Sequence, residues 1–207
     1  MTAEAEPTAA SHPSARSRGQ HQRRKRIVQA AAALASRGGV EAMQMRTVAE
    51  RAGVALGTLY RYFPSKMDLV VAVVSEELDL LEGSLERRPP RSAAPPRRAV
   101  EVLMRATRGL MREPELADAL IRSLLLSDVT TDFGDRMVGF LLRAAADPNE
   151  GGAASSDGAG GGERRVLLGA LSSMWVMEMI EMLRGHATND EIQGRLEVAA
   201  DRLLAGL

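Results

Sequence analysis

The stretch from Met45 to Lys66, MRTVAERAGVALGTLYRYFPSK, leaves few folds open. Met45, Val48, Ala49 and Ala52 fall on one face of a short helix, and Gly53-Val54 stops it. A second short helix begins near Leu56 and ends before Pro64, whose ring pushes the preceding residue out of the helical region. Two short helices joined by a tight turn have the geometry of a helix-turn-helix, which lays its second helix on duplex DNA. At about 100° per residue, Leu56, Leu59 and Phe63 point toward a core. Gly57, Thr58 and Arg61 then point outward, with Tyr60 and Tyr62 on the two flanks. That outward face offers a small residue, a hydroxyl, a cation and two phenols, groups that bind phosphate oxygens and base edges. It carries no carboxylate.

The rest of the chain reads as helices around this unit. Residues 1–19 lack apolar periodicity and are expected to form a disordered arm. Ile27, Ala31, Leu34 and Ala35 mark a first helix from about Gln20, stopped at Gly38-Gly39, so residues 20–66 form the DNA-binding domain. Ser65-Lys66-Met67-Asp68 resembles a capping box, with Asp in the place of Glu, opening a long helix to about Arg87. Prolines 89, 90, 95 and 96 interrupt it. Further helices are expected at 97–112, from Pro114 through Leu124, at 133–146, at 163–185 and at 189–205, with a Gly-rich linker over 151–162. No segment alternates with a strand period. The fold class is all-α, a three-helix N-terminal domain followed by a larger helical domain over 67–207.

Charge sharpens the division of labour. The net charge is zero, but residues 1–68 hold 11 Lys/Arg against 5 Asp/Glu, a balance of +6, and the remainder is acidic by the same amount. A basic front on an acidic body implies that only the front meets a polyanion. The absence of cysteine excludes disulfides, thiolate metal sites and thiol nucleophiles, and it fits a cytoplasmic location. No apolar run is expected to approach the roughly 18–20 residues that cross a bilayer, and no secretion signal is expected. His12, His21 and His186 stand apart, with no metal-ligand spacing. The Gly-rich run lacks the Gly-Lys-Ser/Thr of a phosphate loop. No enzyme activity, cofactor or metal is expected.

The segment from Arg23 to about Val74 resembles the DNA-binding domain of the TetR family of bacterial regulators. RTVAERAGVALGTLYRYFPSK follows that family's signature at Ala49, Gly53-Val54, Thr58-Leu59-Tyr60, Tyr62-Phe63 and Lys66. The wider block is most similar to the subgroup of cholesterol-catabolism repressors named KstR. The resemblance implies a DNA contact set of Arg46, Leu56, Gly57, Thr58, Tyr60, Arg61, Tyr62 and Lys66. Thr58, Tyr62 and Lys66 match positions that grip phosphate; Arg46 matches one that reaches either a guanine edge or a phosphate. Leu56 either packs in the core or touches a base. Because Ala55 stands where the family has a Ser/Thr cap, and Leu56-Gly57 offer no side-chain donor, thymine-methyl contact or DNA shape is expected to carry part of the specificity. Arg23-Arg24-Lys25-Arg26 either attracts phosphate or forms a basic tail without fixed contact.

In the second half, Met174 to Leu183 is apolar apart from Glu178 and Glu181, so the helix needs cover on more than one side. Ile192, Leu196, Ala199 and Leu203 form a seam suited to a helix partner. The family forms dimers through its last two helices, which implies a homodimer interface at Met177, Ile180, Leu196, Ala199 and Leu203. A two-fold dimer binds a pseudo-palindromic double-stranded operator. The resemblance also implies a small apolar effector, of steroid or acyl-CoA type, in a pocket of Leu103, Met104, Met111, Leu124, Phe133, Met137, Leu141, Met174 and Trp175. The resulting expectation is a ligand-responsive repressor. The alternative is a ligand-independent structural DNA-binding protein, distinguished by weak sequence preference.

Overall fold

The first helix, α1 (Ala15–Ala42), buries Ile27, Val28, Ala31 and Ala35 along one side. It starts earlier than Gln20, so residues 15–19 are helical and not part of an unstructured arm. No proline lies between Pro13 and Pro64, and alanine favours helix. The expected stop at Gly38-Gly39 is present within this span: both residues are non-helical, and a short helical segment resumes beyond the kink to Ala42. Gly39 adopts φ +64 and ψ −166, a region open essentially to glycine alone. The computed structural model describes residues 15–126, 132–146 and 159–205, and the remainder of the expected arm and linker lies outside them.

Short α2 (Met45–Ala52) and α3 (Leu56–Tyr62) follow, then α4 (Lys66–Arg87), a long helix whose buried residues run from Leu69 to Leu81. Its N-terminus carries the expected capping box. Ser65 Oγ accepts from the Asp68 amide at 3.1 Å, and an Asp68 carboxylate oxygen accepts from the Ser65 amide at 2.9 Å. The larger part of the fold adds α5 (Pro95–Leu110), α6 (Pro114–Leu126), α7 (Phe133–Ala145), α8 (Ala159–Leu183) and α9 (Asn189–Leu203). Residues 159–162, expected in the linker, already belong to α8. Among the described residues there are nine helices and no strand, in an all-α arrangement.

Packing joins the two parts. α1 lies against α2 and α4 and also along α6, while α5 is sandwiched between α7 and α9. Polar groups fix these crossings. Arg136 on α7 reaches Ser75 Oγ at 3.1 Å and Asp79 at 2.6 Å on α4, and Arg143 reaches Glu82 at 2.8 Å. Glu178 on α8, largely buried, pairs with Arg195 on α9 at 2.8 Å. Arg97 on α5 pairs with Glu197 and Asp201 on α9.

Arg98 is a buried cation with no carboxylate partner among the described residues, and it accounts for how α7 ends. Its guanidinium donates to the carbonyls of Ala144 at 2.6 Å and Ala146 at 2.9 Å, and to that of Ala93 at 2.7 Å. The charge therefore sits at the negative end of the α7 dipole, satisfying carbonyls that a helix C-terminus leaves open. Arg98→Met keeps the volume of the stem but orphans those carbonyls. It should lower unfolding free energy by about 2 kcal/mol, read in a urea titration.

One expectation is corrected here. Gly161–Leu183 of α8 is long and apolar enough to cross a membrane, although no run was expected to be. The charges at 163–165, with Glu178 and Glu181, hid this in the sequence. In the fold, α8 packs against α5, α6, α7 and α9.

Candidate nucleic-acid interface and internal cavity

The helix-turn-helix is built from local signals. Gly53 caps α2 with φ 65 and ψ 42, the left-handed conformation that glycine takes without steric cost, and the Val54 amide donates to Ala49 O at 3.0 Å. Ala55 caps α3 by its backbone alone; its carbonyl accepts from Thr58 at 2.8 Å and Leu59 at 3.1 Å. Leu59 and Phe63 anchor α3 in the core.

The outward residues stand as the helical spacing requires. Gly57, Tyr60 and Arg61 are exposed, Thr58 and Tyr62 are half-buried, and Arg46 is exposed at the start of α2. Leu56 is half-buried and packed against the core, which accounts for the side chain without a base contact. The Arg61 guanidinium lies 6.0 Å from the Tyr62 ring. Lys66 is half-buried, its ammonium 3.8 Å from the exposed carboxylate of Glu41, so a phosphate would compete with that pair. Arg23 to Arg26 are exposed on helical α1. The Arg24 guanidinium sits 5.3 Å over the Phe63 ring, which brings this cluster to the C-terminal end of α3. The result is one surface of cations, hydroxyls and a bare glycine, carried on an anchored short helix.

A cavity of about 570 Å³ opens between α4, α5, α6, α7 and α8, within the size range of sites that hold small molecules. Of the residues expected in a ligand pocket, Phe133, Met137 and Trp175 line this cavity. Leu103, Met104 and Leu141 do not; they are fully buried core side chains with no surface left for a ligand. Met111 and Met174 pack against the core and are not in the lining, and the side chain of Leu124 lies outside the described residues. Apolar spacing marks the inward face of a helix but does not say whether the space it faces is filled.

The lining that sequence reasoning missed is informative. Leu78 and Leu81 of α4, Leu116, Leu120 and Ile121 of α6, and Met179 of α8 complete the apolar walls. The spacing of Val74, Leu78 and Leu81 was the available signal. Charged groups also border the space: Arg88, Arg105, Arg108, Arg112, Glu77 and Glu113. Arg105 is engaged, donating to Ser84 O at 3.2 Å and Glu101 at 3.2 Å. Trp175 Nε1 donates to the buried Thr107 Oγ1 at 2.9 Å, and its ring stacks on Phe133 with centroids 6.4 Å apart. Burial, reinforced by the like charges of Glu113 and Glu76, pushes the Glu77 carboxyl above the ordinary carboxylate range.

Outside the cavity, α8 presents an exposed uncharged stripe. Val166, Ala170, Ser173 and Met177 are all exposed at helical spacing, and Val198 of α9 is exposed as well. Of the expected interface residues, Met177 lies on this face, while Ile180, Ala199 and Leu203 are half-buried. Leu196 faces inward and is 0 % exposed, so it belongs to the protomer's own core and cannot touch a partner. Among the described residues no cluster of His, Asp or Glu is arranged to hold a metal ion.

A helix-turn-helix on a larger helical body defines a DNA-binding regulator. Residues 27–73 match the family model described as bacterial regulatory proteins, tetR family. The HTH-type transcriptional repressor KstR of Rhodococcus jostii (strain RHA1) is 35% identical over 195 residues, covering 91% of this chain and 85% of that one. A crystal structure of a TetR transcriptional regulator from Rhodococcus sp. RHA1 superposes with a TM-score of 0.73 at 33% identity, covering 92% of this chain and 99% of that one. The multidrug binding protein EbrR complexed with ethidium gives a TM-score of 0.57 at 25% identity, covering 88% and 98%. The chain belongs to the TetR family, and it is a transcriptional repressor of that family, not an enzyme.

Proposed function

We propose that the chain acts in the cytoplasm as a homodimeric repressor that leaves a pseudo-palindromic operator when a small, largely apolar effector fills the cavity. The carrying observation is that α6 serves both sites. It supplies Leu116, Leu120 and Ile121 to the cavity wall and lies along α1, the helix that supports the recognition unit. An effector that favours a different seating of α6 therefore biases the spacing of the two DNA-reading heads. On the DNA, Thr58, Tyr62 and Lys66 grip phosphates, with Tyr60 and Arg61 between them and Arg46 flanking. Gly57 lets the backbone approach closely.

Chemistry at the cavity mouth narrows the effector. Arg88, Arg108 and Arg112 have no ion-pair partner among the described residues, and they border walls that are otherwise mainly apolar. This supports an apolar body with an anionic head, the acyl-CoA type, over a wholly neutral steroid. The names of the KstR relatives support repression, and EbrR with ethidium supports a fold that accommodates small molecules. The rival reading, a structural DNA binder without a ligand, gives the cavity no purpose.

Footprinting the purified protein across genomic DNA tests the reading. A small set of protected inverted repeats is expected, with half-sites one helical turn or a multiple apart. Even protection without preference would support the rival. Neighbouring genes at the protected sites would indicate the effector's chemistry.

A further inference from the structure

Glu77 is an anomaly in the cavity. It is a half-buried carboxyl on α4, between the apolar Val74 and Leu78, and it borders the same space as Phe133, Met137 and Trp175. No hydrogen bond or ion pair involves its side chain among the described residues, and no buried side-chain polar atom there lacks a partner, so its carboxylate oxygens keep access to the open space of the cavity. Arg136 of α7, which reaches neighbouring positions on α4, is committed to Ser75, Asp79 and Glu82 instead. The charges acting on Glu77 are alike in sign: Glu76 beside it on α4 and Glu113 across the cavity at the α5–α6 turn. The mouth arginines, Arg88, Arg108 and Arg112, with the engaged Arg105, complete the charged groups around the space.

We infer that Glu77 is the cavity's internal recognition group, binding in its neutral form a carbonyl or hydroxyl oxygen on the apolar body of the effector. The proposal rests on the effector reading above and adds what part of the ligand the interior selects. A ligand that fills the cavity strips water from the carboxyl, so a charged Glu77 would oppose binding. A protonated one donates to a carbonyl or accepts from a hydroxyl. A cationic ligand is disfavoured by the arginines it would pass at the mouth. Burial and like charge already favour the neutral carboxyl, and a neutral ligand favours it further, so entry draws up to one proton onto the protein where Glu77 is still ionised. Neutral-ligand affinity therefore rises as pH falls. With one linked proton the gain cannot exceed about tenfold per pH unit.

The single tryptophan of the chain, Trp175, lines the cavity and reports occupancy directly. The experiment titrates the full chain with 2-decanone and with decyltrimethylammonium at pH 5.5 and pH 7.5, following Trp175 emission, in wild type, Glu77→Gln and Glu77→Leu. Expected is several-fold tighter 2-decanone binding at pH 5.5 in wild type. Glu77→Gln should bind nearly equally at both pH values, because its amide still hydrogen-bonds but does not titrate; Glu77→Leu should bind weakly at both. A pH dependence that survives in Glu77→Gln overturns the assignment. So does tighter decyltrimethylammonium binding at pH 7.5 that Glu77→Gln abolishes, since that would make Glu77 an anionic site. If neither probe alters Trp175 emission in any variant, the effector reading itself fails and this inference falls with it.

Discussion

Replacing Arg61 with glutamate should lower affinity for the recovered operator about a hundredfold while leaving the unfolding midpoint almost unchanged. Arg61 is exposed on α3, and its described intramolecular contact is the Tyr62 ring at 6.0 Å, so the fold loses little. On DNA, with α3 docked as proposed, the same change would remove a charge-assisted contact and set a carboxylate against phosphates. Those effects together come to about 3 kcal/mol, or roughly two powers of ten. Fluorescence anisotropy on the operator duplex, paired with urea unfolding, separates the two consequences. Unchanged affinity would mean that the outward face of α3 does not meet the duplex at its centre.

If α8 forms the proposed dimer interface, Met177→Arg should leave the protein monomeric and reduce operator binding by more than the Arg61 change does. Met177 is 57% exposed in the protomer, on the stripe that begins at Val166. In a two-fold interface each substitution appears twice, and both new charges lose water with no carboxylate provided for them. Each separated head then binds only a half-site, losing the advantage of linked binding, which reaches about 10²–10⁴. Sedimentation velocity at micromolar protein reads the assembly, and helical circular dichroism checks that the protomer remains folded. A variant that stays dimeric with wild-type operator affinity would move the interface away from this face of α8.

The DNA-reading unit was legible because its signals are local. Gly53 ends α2, Pro64 ends α3 and Ser65 with Asp68 opens α4, each through contacts within a few residues. Which side of α3 faces outward follows from helical period alone. The cavity was less legible, because Met137 and Leu141 sit one turn apart on α7 and share the same inward spacing. Only the packing of the neighbouring helices leaves space beside Met137 and none beside Leu141. The same limit separates Leu196 from Val198 on α9: the apolar seam was visible, but the protomer itself occupies it. Arg98 was hidden because nothing in its neighbourhood distinguishes a buried arginine from the many exposed ones. Glu77 was hidden likewise, since a glutamate on a long helix reads as solvated until the cavity beside it is known.

The central claim is that this surface reads sequence as well as phosphate. The most direct test is a competition titration at one fixed salt concentration, setting the footprinted inverted repeat against a scrambled duplex of the same length and composition. A sequence-reading repressor should favour its operator by at least about 10³, with single mismatches costing about 1–3 kcal/mol each. Preference within tenfold, together with an equal salt slope for both duplexes, would contradict the account and leave a protein that binds DNA by charge alone.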